Sequence, residues 1–200
     1  MIALQAAVRV QPDALAVLGL DDCAAAVWDR AAPDGVTAWL EGLAPGLLPH
    51  GRVVVRPGDV SWAVQDMCAE AGTPEGAARD AFVRDVAALA AGFAAAMDAE
   101  WLRVRLDVVT TNACRKFHID ALRARLVCTY RGTGTQYGLA ARGTDPDEVH
   151  TVETGVPILL RGTLWPAPHA ASLLHRSPPI EGTGEVRLVL VLDPVNSAKG

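Results

Sequence analysis

The stretch Trp101-Leu-Arg-Val-Arg-Leu-Asp-Val-Val109 decides the reading of the fold. Leu102, Val104, Leu106 and Val108 alternate with Arg103, Arg105 and Asp107, a period of two that gives an extended strand one apolar face. Just upstream the period is helical. Phe82, Val86, Leu89, Phe93 and Met97 fall three or four apart within residues 74–100, which predicts one long amphipathic helix with Thr73 as its cap. Residues 21–30, 34–43 and 60–71 read as shorter helices between Pro and Gly punctuation, and 52–56 as a short strand. Downstream, short β-like runs follow at 125–131, 149–152, 156–161, 170–175 and 186–192, separated by glycine, proline and acidic turn residues. The expectation is an α+β chain in one domain, 1–200. Residues 1–100 form mainly helical support, and residues 101–193 form an antiparallel barrel or sandwich that carries the site.

Composition agrees with one globular unit. The chain has 200 residues, 50% hydrophobic and 20% charged, too apolar for disorder. It carries 18 basic against 23 acidic side chains, a net charge of −5. The arginines are scattered from Arg9 to Arg187 without interleaved aromatics, so the chain has no nucleic-acid footprint. No apolar run approaches the roughly 18 residues of a membrane helix. The start lacks a basic region followed by an apolar one, and a cytoplasmic protein acting on a small molecule or peptide is expected. Cys23, Cys68, Cys114 and Cys128 form no C-x-x-C pair and read as reduced thiols, most of them in the core.

The chemistry concentrates in Asn112-Ala-Cys-Arg-Lys-Phe-His118-Ile-Asp120. Residues two apart on a strand share a side, so His118 and Asp120 present an imidazole and a carboxylate together. An H-x-D match alone says little, since about 0.4 such matches arise by chance in a chain with this many His and Asp. Support comes from His175, at the end of a β-like run, and from Arg187 inside Val-Arg-Leu-Val-Leu-Val-Leu192. A guanidinium in an apolar strand is costly to bury unless a carboxylate pairs with it, from the protein or from a ligand. The alternatives for these residues are structural: a polar pair at a strand end for His118 and Asp120, a turn-flanking His175, and an internal ion pair of Arg187 with Glu153 or Glu185. Cys114 and Cys128 flank the H-x-D and leave a zinc site open as another alternative. Gly132-Thr-Gly134 reads as a hairpin or lid, and His50, His150 and His169 as surface-loop residues. Ser172 and Ser177 lack the G-x-S-x-G elbow of a hydrolase.

The order H-x-D, a second His 57 residues beyond the first, then an Arg 12 residues further on, resembles the double-stranded β-helix oxygenases that use Fe(II) and 2-oxoglutarate. The resemblance spans roughly residues 101–193, and Gly155-Val-Pro-Ile-Leu-Leu-Arg-Gly162 looks like the strand and turn that family places before its second His. It implies a jelly-roll or cupin-like barrel with His118, Asp120 and His175 as a two-histidine, one-carboxylate metal triad, and Arg187 on the distal carboxylate of 2-oxoglutarate. One departure is plain: Val189 stands where that family has the serine of Arg-x-Ser, so Thr129 or Tyr130 would have to supply the second contact. The departure keeps alive a cupin-like metal protein without the cosubstrate, and a non-catalytic binding module remains a further alternative. Over its whole length the chain also resembles a bacterial family catalogued as domain of unknown function 1826. That likeness is carried by Asn112 to Asp120, Thr129-Tyr-Arg-Gly-Thr-Gly-Thr-Gln136 and His175-Arg-Ser-Pro-Pro179.

Overall fold

The computed structural model describes residues 8–19, 23–141, 143–166 and 173–198. His169 and Ser172 lie outside them, as does the start of the β-like run expected at 170–175. In chain order the elements are β1 (Val8–Gln11), α1 (Ala14–Val17), β2 (Ala25–Trp28), α2 (Val36–Gly42), β3 (Gly51–Val55), α3 (Val60–Glu70) and α4 (Ala77–Met97). There follow β4 (Trp101–Val109), β5 (Ala124–Arg131), β6 (Gln136–Leu139), β7 (His150–Thr151), β8 (Pro157–Arg161), β9 (Leu173–Arg176) and β10 (Arg187–Val195). Two sheets result: a seven-stranded one in the order β1-β2-β8-β5-β10-β4-β3, antiparallel except for the β1–β2 pair, and a three-stranded one in the order β7-β6-β9.

The alternation of β4 and the continuous apolar run of β10 have one cause. Leu102, Leu106, Leu188, Leu190 and Leu192 face the helices and join Phe82, Val86, Leu89 and Phe93 of α4 in the larger core. Val127, Val189 and Val191 face the other way and join Ile158, Leu160 and Leu173 in a second core between the sheets. A strand covered on both faces has no polar side to show, so β10 reads as unbroken hydrophobicity. α4 buries the residues its spacing marks out, and ends where Asp98 turns left-handed at φ 49°. Among the described residues, no helix is long and apolar enough to cross a membrane.

Several expectations are corrected. Where a helix was expected over 21–30, Ala25–Trp28 is strand β2, held between β1 and β8. Its Ala-Ala-Ala-Val-Trp run is helix-prone, but pairing on both edges and burial on both faces outweigh a preference of only tenths of a kcal/mol per residue. With β1 and β3 it brings three strands from the first hundred residues into the larger sheet. Thr73 does not cap α4, which starts after Gly76 without a side-chain cap; its hydroxyl donates to the Leu47 carbonyl at 2.7 Å. His150 lies in β7 and stacks on Tyr137, with ring centroids 5.4 Å apart. Gly132 to Gly134 form the turn that carries the chain from β5 in one sheet to β6 in the other.

Candidate metal centre

His118 sits outside the regular strands, fixed by a single antiparallel bridge to His175 of β9. Each donates its backbone N–H to the other's carbonyl at 3.0 Å, which sets the two imidazoles side by side with centroids 4.5 Å apart. Asp120, two residues on, turns its carboxylate to the same place. Its Oδ1 is 3.6 Å from His118 Nε2 and its Oδ2 is 3.1 Å from His175 Nε2. One ligand atom from each of the three lies within 4.8 Å of the others, and no cysteine joins the group among the described residues. Cys128 faces the helix-side core, and Cys114 is exposed at the rim of the cavity below, so neither adds a thiolate to the cluster.

The donors fit a metal ion. Two ligands about 2.1 Å from a common ion and at right angles stand about 3.0 Å apart, close to the spacing found. His118 Nδ1 lies 2.8 Å from the Lys116 carbonyl, which only accepts, so in the neutral ring this nitrogen carries the proton and Nε2 has the lone pair, on the side of Asp120. Asp120 Oδ2 is buried and near His175 Nε2, yet lacks the alignment of a hydrogen bond and has no other partner. A buried carboxylate oxygen left this way costs free energy that a cation in the cluster would recover.

Electrostatics separate the three groups. The hydrogen bond to Asp120 raises the pKa of His118 against the opposing effect of burial, with help from the Lys116 carbonyl. Burial lowers that of His175, and Asp120 only partly offsets it. Burial would raise the pKa of Asp120, but contacts with His118 and His175 and the charge of Arg125 outweigh it and hold the acid well below the usual carboxylate range. Arg125 is the residue the sequence reading missed, together with Asp193. It reaches Asp120 Oδ1 at 2.7 Å and grips Asp193 of β10 through Nε and Nη2 at 2.6 and 2.9 Å. The two residues lie near the start of β5 and near the end of β10, ends that antiparallel pairing makes neighbours.

Arg187 opens β10 on the same face as Val189 and is 1% exposed. Nε donates to the Thr133 carbonyl at 2.6 Å and Nη2 to Thr129 Oγ1 at 3.3 Å, while Nη1 is buried without a hydrogen-bond partner. Among the described residues no carboxylate pairs with it: Glu185 is bound to the Thr133 N–H at 2.6 Å, and Glu153 makes no ion pair with it. Burial pushes its pKa down to about 10 despite the charge of Glu185. Gly132, at φ 75°, leaves room for the guanidinium stem, since a Cβ there would stand 2.9 Å from Arg187 Cγ. Of the two candidate companions, Thr129 makes the contact. Tyr130 is corrected: it points to the helix side, where its hydroxyl donates to Asp85 Oδ2 at 2.5 Å. A cavity of about 120 Å³ lies between the sheets, lined by His118, His175, Arg125, Val127, Val189 and Val191 among others. Arg187 does not line it and lies one step along the same face of β10, beyond Val189.

The fold, two facing sheets with helices on the outside of the larger one, is similar to that of an oxygenase of known structure. The rice dioxygenase for auxin oxidation matches at a TM-score of 0.50 and 13% identity, over 94% of this chain and 82% of that one. A Pseudomonas putida prolyl-4-hydroxylase matches at 0.45 and 16%, over 98% and 100%. The Arabidopsis thaliana dioxygenase for auxin oxidation 1, in a binary complex with 2-oxoglutarate, matches at 0.46 and 12%, over 84% and 74%. The chain itself belongs to the family described as protein of unknown function, DUF1826, whose sequence profile matches residues 10–193. No curated protein resembles it closely enough in sequence to count as a relative.

Proposed function

We propose that this protein is a mononuclear Fe(II), 2-oxoglutarate-dependent oxygenase built on a double-stranded β-helix, acting on a substrate of its own. The observation that carries the reading is the pair of unmet demands on one face of the sheet. Asp120 Oδ2 is buried beside His175 Nε2 without a hydrogen bond, and Arg187 is a buried guanidinium with no carboxylate partner among the described residues. His118, Asp120 and His175 would hold the iron, and Arg187 with Thr129 would hold the distal carboxylate of the cosubstrate. With dioxygen as the oxidant, iron and 2-oxoglutarate would supply oxidative decarboxylation to succinate and carbon dioxide, one oxygen atom going to succinate and the other to an unactivated position of the substrate.

The protein's part is preparation. Arg125 fixes the Asp120 carboxylate by its Oδ1, so the other oxygen stays turned to His175. The Lys116 carbonyl fixes the His118 tautomer. Val127, Val189 and Val191 exclude water from the cavity floor, where charge interactions are strengthened.

A metal protein of this fold that does without the cosubstrate is the second reading. It is favoured by Val189 in place of a serine, and by the two hydrogen bonds that Arg187 already makes to Thr133 and Thr129. Anaerobic addition of Fe(II) and then 2-oxoglutarate separates the two. The first reading expects the weak visible charge-transfer band of the chelate, lost in Arg187→Met; iron bound without that band supports the second.

A further inference from the structure

The cavity wall carries three arginines, and they are not equivalent. Arg125 is consumed by Asp120 and Asp193. Arg105 of β4 is three-quarters buried, and its Nε is enclosed without a hydrogen-bond partner. Its nearest carboxylate, Asp107 on the same strand, stands 3.9 Å away and is itself half-exposed, too far for a hydrogen bond and too wet for a strong pair. Arg176 follows His175 on β9, places its Cζ 4.3 Å from the Phe117 ring centroid and donates Nε–H to Gln136 Oε1 at 2.8 Å. That ring contact and hydrogen bond pre-order the guanidinium and leave its two terminal nitrogens for another acceptor. Arg105 and Arg176 come from different sheets and line the same cavity as His118 and His175, with exposed Cys114 and with Ser177 at its edge.

Two incompletely satisfied guanidinium groups lining one small cavity, one of them pre-ordered, suit an oxyanion with two or more acceptor oxygens. We infer that Arg105 and Arg176 form an anion-recognition pair, and that the molecule presented to the metal centre carries a carboxylate or phosphate group. This pair is separate from Arg187, which lies outside the cavity lining and would serve the cosubstrate. The substrate role rests on the oxygenase reading; the anion pair itself does not. Asp107 sets the selectivity, because its charge at the same rim opposes a weakly held anion and favours one that engages both forks.

Side-chain Nε–Hε resonances of arginine report on the pair without turnover. In a titration of the full chain with inorganic phosphate, Arg105 and Arg176 are expected to shift together along one saturating curve, while exposed Arg56, paired with Glu100, shifts weakly and linearly. Arg105→Gln should weaken the saturating response at Arg176 at least tenfold, and Arg105→Lys should retain part of it. Linear shifts parallel to Arg56, or an Arg105→Gln response within twofold of wild type, overturn the proposal. So does full displacement of phosphate by 2-oxoglutarate with Zn(II), which would place both arginines in the cosubstrate seat. If 2-oxoglutarate does not bind while phosphate does, the oxygenase reading fails and the anion pair stands.

Discussion

On the helix side of the seven-stranded sheet, Asp85 of α4 receives Arg30 through two hydrogen bonds of 2.5 and 2.9 Å and the Tyr130 hydroxyl through a third. On the opposite side, Asp120 keeps one buried oxygen unbonded, and Arg187 keeps one buried nitrogen and no carboxylate. Both clusters are ionic, and both sit against apolar cores. The difference lies in saturation of the acid. Both oxygens of Asp85 are taken, and only Arg30 Nε goes without a partner. A cluster closed on itself cross-links elements, here α4 to β5 and the segment after β2. One with capacity left over on both its acid and its base marks a place prepared for a ligand.

The largest expected effect tests the closed side. Asp85→Ala strands Arg30 and the Tyr130 hydroxyl in the core and should lower the unfolding free energy by about 3–5 kcal/mol in urea denaturation. Metal bound per folded chain should stay unchanged, and a parallel loss of metal would break the division between the two faces. On the open side, Asp120→Asn keeps a partner for Arg125 but removes the anionic ligand. It should reduce metal affinity by about 100-fold or more, with a smaller change in the stability of the metal-free chain than Asp85→Ala produces. Equal destabilisation by both would mean that Asp120 is structural after all.

How far the sequence foretold this contrast depends on which physical signal each residue leaves. The alternation of Leu102 to Val108 and the helical spacing of Phe82 to Met97 are one-faced patterns, and both elements are where those patterns put them. β2 is covered on both sides, and its alanines have a local preference that is wrong for the strand they form. β1 and β6 are four residues each, too short for a period to be seen. The convergence of His118, Asp120 and His175 was legible through the family resemblance that their order carries, and Arg187 from its charge in an apolar run. Thr129 against Tyr130 was not, because adjacent strand residues point to opposite faces and the register slips between Leu188 and Val189. Arg125 and Asp193 meet only through pairing across 68 positions, which no local pattern announces.

Two smaller effects sharpen the contrast. Arg187→Met removes a buried cation that no carboxylate offsets, so it should leave stability within about 1 kcal/mol of wild type. The same variant should weaken 2-oxoglutarate binding about tenfold or more by calorimetry. A large loss of stability would instead make Thr133 and Thr129 its true purpose. The smallest effect is in pH. The raised pKa of His118 gives the metal-free chain stability that is complete below about 6.5 and lost as pH rises through the folded value. The depressed Asp120 gives stability present above about 4 and lost as pH falls. The lowered pKa of His175 costs stability as pH falls below about 6.5, so the melting temperature of the metal-free protein should crest toward the upper end of the range between about 4 and 6.5. Metal reverses the upper limb by competing with the His118 proton, so affinity should climb with pH through that range and beyond. A melting profile that Asp120→Asn leaves unchanged would contradict this.

The most direct test of the open face is the metal content of anaerobically reconstituted protein. After Fe(II) loading and desalting, the wild-type chain and Asp85→Asn should each retain one iron per folded chain, and His118→Ala, Asp120→Ala and His175→Ala should each retain almost none. Iron bound equally well by the three variants, or no iron in the wild type, would contradict the account.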